Sequence, residues 1–288
     1  MSTPDLSTLV ARAERVLAQL EAWLPPPVPD IDWNAYAYRW RTRGARGWLD
    51  AVRHVSTVAL DDLQHIERQK DVIDRNTRHF LDGRPANNVL MTGARGTGKS
   101  SLVKAMLAAY ADQGLRLIEV DKSDLADLPD IIDLIAGRTE HYIIFCDDLS
   151  FEEGEASYKA LKSVLDGSIS AQVDNVLIYA TSNRRHLMPE YMHENLDTRH
   201  GAVGEIHPGE SVEEKISLSE RFGLWLSFYP FRQDDYLDIV NHWLKTLGCS
   251  DDQVAEARTE ALQWALERGS RSGRVARQFA RDWSARHV

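Results

Sequence analysis

The stretch Gly93-Ala94-Arg95-Gly96-Thr97-Gly98-Lys99-Ser100 constrains this chain more than any other. It fits G-x-x-x-x-G-K-[ST] without departure. It lies between a strand-like run (Asn88-Val89-Leu90-Met91) and a helix-like one (Ser101 to Leu107). Glycines let the backbone curl so that successive N–H groups converge on phosphate oxygens. The positive end of the following helix adds to that attraction. Lys99 is placed to reach the β- and γ-phosphates of a nucleotide, and the Ser100 hydroxyl to ligate Mg²⁺. The expected nucleotide-binding set is Gly93, Ala94, Arg95, Gly96, Thr97, Gly98, Lys99, Ser100 and Ser101.

Composition narrows the setting. A chain of 288 residues holds two or three small domains more readily than one large one. Its net charge of −10 argues against the whole surface binding nucleic acid, although it leaves room for a local basic patch. Cys146 and Cys249 are far apart in unrelated contexts, so neither a disulfide framework nor a zinc pattern follows. A reducing compartment fits, and the expected location is the cytoplasm. No apolar run reaches the roughly 18 residues a membrane span needs, and the first residues lack a signal-peptide core.

Three regions are expected. Residues 1–83 read as an N-terminal helical region, with apolar periodicity over 5–23 and 58–81. Between these helices, Pro25, Pro26, Pro27 and Pro29 impose a stiff connector. The stretch 31–53 then interleaves Trp33, Tyr36, Tyr38, Trp40 and Trp48 with Arg39, Arg41, Arg43, Arg46 and Arg53. Such a segment either packs its aromatics on the core or stacks single-stranded nucleic acid. Given the negative net charge, packing is the favoured reading.

Residues 84–230 alternate strands (88–92, 115–120, 142–146, 176–180, 224–228) with helices, which predicts an α/β domain with a five-stranded parallel sheet. The stretch 184–217 breaks the rhythm and reads as a long loop; its His193, His200 and His207 match no ligand spacing and are taken as solvated. Residues 231–288 are purely helical, over 233–247, 251–267 and 272–286, and form a small appended domain.

Two strand ends add chemistry. Ile143-Ile144-Phe145-Cys146-Asp147-Asp148 delivers two carboxylates to the crevice where ligands bind in open α/β sheets. Asp147 is placed to hold Mg²⁺ beside Ser100, and Asp148 to orient and deprotonate an attacking water. The next strand ends in Thr181-Ser182-Asn183, whose amide can hydrogen-bond a γ-phosphate or that water, provided this strand lies next to the first.

In this order, the phosphate loop, acidic strand end, polar strand end, an Arg before a fifth strand and a helical tail with an Arg resemble an AAA+ ATPase of the P-loop NTPase class. The wording is most similar to the family catalogued as domain of unknown function 815. The matching stretches include Ala86 to Leu90, Gly93 to Lys104, Asp147 to Phe151, Tyr179 to Leu187, Glu213 to Phe228 and Arg271 to Phe279. The resemblance implies an Mg-dependent ATPase working as a homo-oligomer on a macromolecular client that it does not name. Asn183 looks like the sensor-1 residue, and Arg221 like the arginine finger that completes a neighbouring subunit's site, with Arg184 and Arg185 as rivals. Arg274 looks like the sensor-2 arginine of a helical lid.

This chain departs from the AAA+ pattern twice. Asp148 stands where Glu is usual, with Glu152 or Glu153 as potential helpers. The loop Asp121 to Leu125 lacks the aromatic residue of protein-threading relatives, which argues against an unfoldase.

Overall fold

The computed structural model describes residues 6–23, 28–44, 46–56, 58–151, 155–166, 173–183, 199–200, 206–207 and 219–287. Its strands are β1 (Ala37–Arg43), β2 (Arg46–Ala51), β3 (Val89–Gly93), β4 (Leu115–Glu119), β5 (His141–Cys146), β6 (Val176–Ser182), the two-residue β7 (Arg199–His200) and β8 (Ile206–His207), and β9 (Leu224–Phe228). Its helices are α1 (Leu6–Trp23), α2 (Glu67–Leu81), α3 (Lys99–Tyr110), α4 (Leu128–Ile135), α5 (Ala156–Leu165), α6 (Gln233–Thr246), α7 (Asp251–Glu267) and α8 (Gly273–His287).

The main sheet runs β2-β1-β4-β5-β6-β3-β9. Every neighbouring pair in it is parallel except β1 with β2. Strand β5 shows why such a sheet forms. Tyr142, Ile144 and Cys146 pack with α4 and α5 on one face, whereas Ile143 and Phe145 pack with α2 and α3 on the other. A strand covered on both sides reads as an unbroken apolar run, and this one does.

The sheet has seven strands, not five, and the extra pair comes from a segment expected to belong to a helical region. Residues 37–51 form an antiparallel hairpin whose first strand pairs with β4. Tyr38, Trp40 and Leu49 are buried in the α4/α5 layer, which accounts for these side chains by packing, whereas Tyr36 is 46% exposed and Trp48 is half-buried. The helix expected over 58–81 starts only at Glu67. A short 3₁₀ turn (Leu60–Asp62) and a left-handed His65 (φ 61°) occupy the stretch before it. Helix α1 forms as its periodicity predicts, yet Leu9 and Leu17 are 52% and 58% exposed.

Helices α6, α7 and α8 build a separate core around Tyr236, Phe279 and Trp283, against the small Ala257, Ala261 and Ala265 of α7. A reciprocal capping box between Ser250 and Gln253 starts α7. Among the described residues no helix is long and apolar enough to cross a membrane.

Candidate nucleotide site

Strand β3 ends in a turn that only glycine can make. At Gly93 (φ 132°) a Cβ would stand 1.9 Å from the Phe228 carbonyl oxygen on β9. The loop then folds on itself, with Thr97 Oγ1 donating to the Ala94 carbonyl at 2.8 Å. A left-handed Gly98 (φ 101°) turns the chain into α3, whose N-terminus faces the loop. Lys99, only 5% exposed, reaches back over the loop. Its Nζ donates to the carbonyls of Gly93 (2.7 Å) and Ala94 (2.8 Å) and to Asn183 Oδ1 (3.1 Å). Burial lowers its pKa below the usual lysine range, and the carboxylates of Asp147 and Asp148 oppose that shift.

The sheet order brings the polar strand ends to this loop. Strand β6 lies between β5 and β3, in register Cys146↔Ala180 and Thr92↔Ser182, so Asn183 emerges beside Gly93. Ser100 Oγ donates to Asp147 Oδ1 at 2.7 Å. The same carboxylate oxygen accepts from Thr181 Oγ1 at 2.5 Å, and Thr181 Oγ1 in turn accepts the Asp148 N–H at 2.9 Å. Asp148 has left-handed backbone (φ 52°). Its Oδ1 accepts from Asn183 Nδ2 at 2.5 Å, and its Oδ2 lies 3.7 Å from Arg95. A hydroxyl and a carboxylate that already meet are the hard oxygen donors Mg²⁺ takes beside phosphate. The residues present therefore fit Mg²⁺ with a nucleotide.

The lid closes the other side. The Gly273 N–H donates to the Gly96 carbonyl at 2.8 Å, and a Cβ on Gly96 would stand 2.6 Å from Ser272 Cβ. Arg274 thus sits over the phosphate loop. Arg277 and Arg281, three and seven residues further along α8, line the same cavity of about 740 Å³. Val58, Leu63 and Ile66 from the stretch before α2 and Phe231, Ile239 and Trp243 from the lid give it an apolar end. Three His–carboxylate contacts tether the lid to the stretch before α2: His242 Nε2 lies 3.1 Å from Asp62, and His65 lies 3.2 Å from Asp238 through Nε2 and 3.5 Å from Asp235 through Nδ1.

Arg95, Gly96, Thr97, Gly98, Lys99, Ser100, Ser101, Asp147, Asp148, Asn183 and Arg274 all line this cavity. Arg221 does not; it pairs with Asp166 just past α5. Arg184, Arg185, Glu152, Glu153 and His193 lie outside the described residues, as do Pro25, Pro26 and Pro27. His200 and His207 fall on the small β7–β8 ribbon, and no cluster of metal-ligating side chains occurs among the described residues. Sequence reasoning missed Thr181 as the bridge between the two acids, and Trp243, Arg277 and Arg281 in the cavity wall. The spacing of Arg274, Arg277 and Arg281 on one helix face is a signal that could have found the last two.

A family model described as "Protein of unknown function (DUF815)" matches residues 33–287. The chain belongs to this family. Among solved structures, it is similar to a point mutant of Thermotoga maritima RuvB (14% identity, TM-score 0.52, 77% of this chain and 64% of that one). It is also similar to T. maritima RuvB described as a Holliday junction branch migration motor (15%, TM-score 0.48, 77% and 63%). A third likeness is to the E. coli MS115-1 HORMA:CdnC:Trip13 complex (12%, TM-score 0.49, 77% and 90%). At these identities the likeness is one of fold alone. The matched part spans less than two thirds of the RuvB chain. No curated protein matches this DUF815 member in sequence.

Proposed function

We propose that this protein binds ATP with Mg²⁺ and hydrolyses it to ADP and phosphate, coupling turnover in a homo-oligomer to remodelling of a protein or nucleic-acid partner. The observation that carries the reading is the convergence of Lys99, Ser100, Asp147, Asp148 and Asn183 in one hydrogen-bonded cluster at a phosphate loop. Ser100 and Asp147 would hold Mg²⁺, which supplies charge neutralisation on the β- and γ-phosphates. Lys99 exchanges its backbone carbonyl partners for phosphate oxygens. Asp148 orients a water and takes its proton, and Asn183 holds that carboxylate in place. Arg274 reports the γ-phosphate to the lid. Arg221 serves a neighbouring subunit, a role supported by its position outside its own cavity and by the fork geometry of guanidinium on phosphate. The free, buried cysteines suit a reducing cytoplasm.

Phosphate release measured against protein concentration tests the reading: specific activity rises as subunits assemble. Inactive Arg221→Ala and inactive Asp148→Asn subunits, once mixed, partly recover turnover; no recovery at any ratio sinks the shared site. A slow ATP-gated binding module is the competing reading, favoured by one observation. Asp148 is a short acid already engaged by Asn183. Tight ATP binding with negligible turnover at every protein concentration would select it.

A further inference from the structure

The β1–β2 hairpin sorts its side chains by strand periodicity, and only one of its faces is explained by packing. The inner face is fixed. Trp40 donates its indole N–H to Asp127 at 2.9 Å. Its ring lies over Gly47, where a Cβ would stand 1.9 Å from Cζ2. This anchors the ribbon to the edge of the sheet and holds the other face still.

That outer face carries Arg39, Arg41 and Arg43 from β1, and the register sets Asp50, Trp48 and Arg46 directly opposite them. Near β4 the charge is neutralised. Glu119 takes Arg39 at 2.6 Å, and Asp50 lies 3.6 Å from Arg41. Toward the turn the ion pairs stop, although Arg46 lines a cavity with Asp127, Asp130 and Asp133 of the α4 side. Arg43 faces Arg46 across the ribbon, both are exposed, and among the described residues neither has an ion-pair partner. Like charges directly opposite destabilise a ribbon unless an anion lies between them. In a chain of net charge −10 this is a local reversal of sign. Trp48, half-buried, stands opposite Arg41 and next to the unpaired pair.

We propose that this outer face binds single-stranded nucleic acid, with Arg43 and Arg46 on phosphates and Trp48 as a stacking platform for a base. Arginines bordering an aromatic face match a polyanion whose bases are free to stack. A duplex keeps its bases stacked on one another and offers that ring nothing, and an acidic polypeptide has no use for the ring either. The site lies outside the nucleotide cavity and does not depend on hydrolysis.

The test is fluorescence anisotropy of the full chain with a labelled oligothymidylate of about twenty nucleotides over a salt series. The expected result is binding at low salt that weakens as salt rises. Replacing both Arg43 and Arg46 by Ala weakens it at least about tenfold. The same change lowers the slope of log K against log salt by about 1.4, at roughly 0.7 per phosphate contact on a single strand. Trp48→Ala weakens binding by about tenfold, whereas Trp48→Phe keeps most of it. Thermal unfolding midpoints of the variants show that the hairpin still folds. Absence of oligonucleotide binding at low salt overturns the proposal, as does binding that survives the double arginine change or is equal for duplex. Capture by anionic vesicles or polyglutamate without oligonucleotide binding overturns it too.

Discussion

Asp148 and Asn183 close a hydrogen bond of 2.5 Å across the ends of adjacent strands β5 and β6. Asn183 uses its other atom, Oδ1, to accept from Lys99 at 3.1 Å. One amide thus links the cation proposed to bind phosphate to the acid proposed to activate water. Those two charged groups are the ones that must rearrange when a triphosphate enters.

That contact bears on Asp148, which stands where the AAA+ pattern that this sequence resembles usually has Glu. Asp148 has left-handed backbone (φ 52°), which Asp and Asn tolerate better than Glu. A longer side chain would also have to draw back from the Asn183 amide. Asp148→Glu should therefore lower the thermal midpoint by a few degrees, on the order of a 1 kcal/mol loss, and should not raise turnover. Asp148→Asn should keep the fold and ATP binding while cutting phosphate release about 10²-fold or more. Faster hydrolysis by the Glu variant would refute this account of the site.

Lys99 is a buried cation with a lowered pKa, so two properties should move in opposite directions with pH. ATP binding needs the ammonium, so affinity falls as pH rises, beginning below the ordinary lysine value of 10.5. Apo stability behaves the other way. Between the lowered folded-state pKa and the unfolded one, the unfolded chain binds more protons, so stability rises with pH. The difference in unfolding free energy between wild type and Lys99→Ala, followed from pH 7 upward, isolates this from the other titrating groups. At neutral pH the same variant should lose ATP affinity by about 10²-fold or more. Full nucleotide-induced stabilisation in the variant would contradict the assignment.

Gly96 joins the phosphate loop to the lid, and it has no room for a side chain. Its φ is 74°, and a Cβ would stand 2.6 Å from Ser272 Cβ. Gly96→Ala should cost about 1–2 kcal/mol in backbone strain and push the lid off the Gly96 carbonyl. Nucleotide affinity should fall, while the separate lid core stays folded. Adding Ser272→Gly removes the contact but not the strain, so it should restore only part of the affinity. Titration with a fluorescent ATP analogue reads both, and complete restoration would assign the whole effect to the clash.

Thr181 bridges the acids through one hydroxyl, accepting from the Asp148 N–H and donating to Asp147. Thr181→Val keeps the shape and strips both partners of their bond. The expected cost is about 1–3 kcal/mol of stability. ATP-dependent activity should also require more Mg²⁺, because Asp147 is no longer oriented. Unfolding curves and a Mg²⁺ titration check the two parts separately.

Legibility in the sequence follows from whether a feature is local. The phosphate loop, the acidic end of β5 and the helix-only tail are contiguous, and each states its chemistry within a few residues. The 37–51 hairpin reads in sequence as a packing segment and not as two strands. The alternation of Tyr36, Tyr38 and Trp40 is a strand signal, but the pairing partner, β4, lies more than sixty residues away in the chain. The adjacency of Asn183 to the loop is conditional on strand order, and the position of β6 between β5 and β3 meets that condition.

Periodicity and short motifs, which act through neighbouring residues, thus determined the phosphate loop with Lys99 and Ser100, the α/β alternation and the separate lid. Only the tertiary structure decided that Thr181 joins the two acids and that Arg277, Arg281 and Trp243 share a cavity with Lys99. It also decided that one hairpin face is buried while Arg43, Arg46 and Trp48 remain outside. The reason is physical: strand order and lid docking follow from burying apolar surface over the whole chain, and no single stretch carries that information.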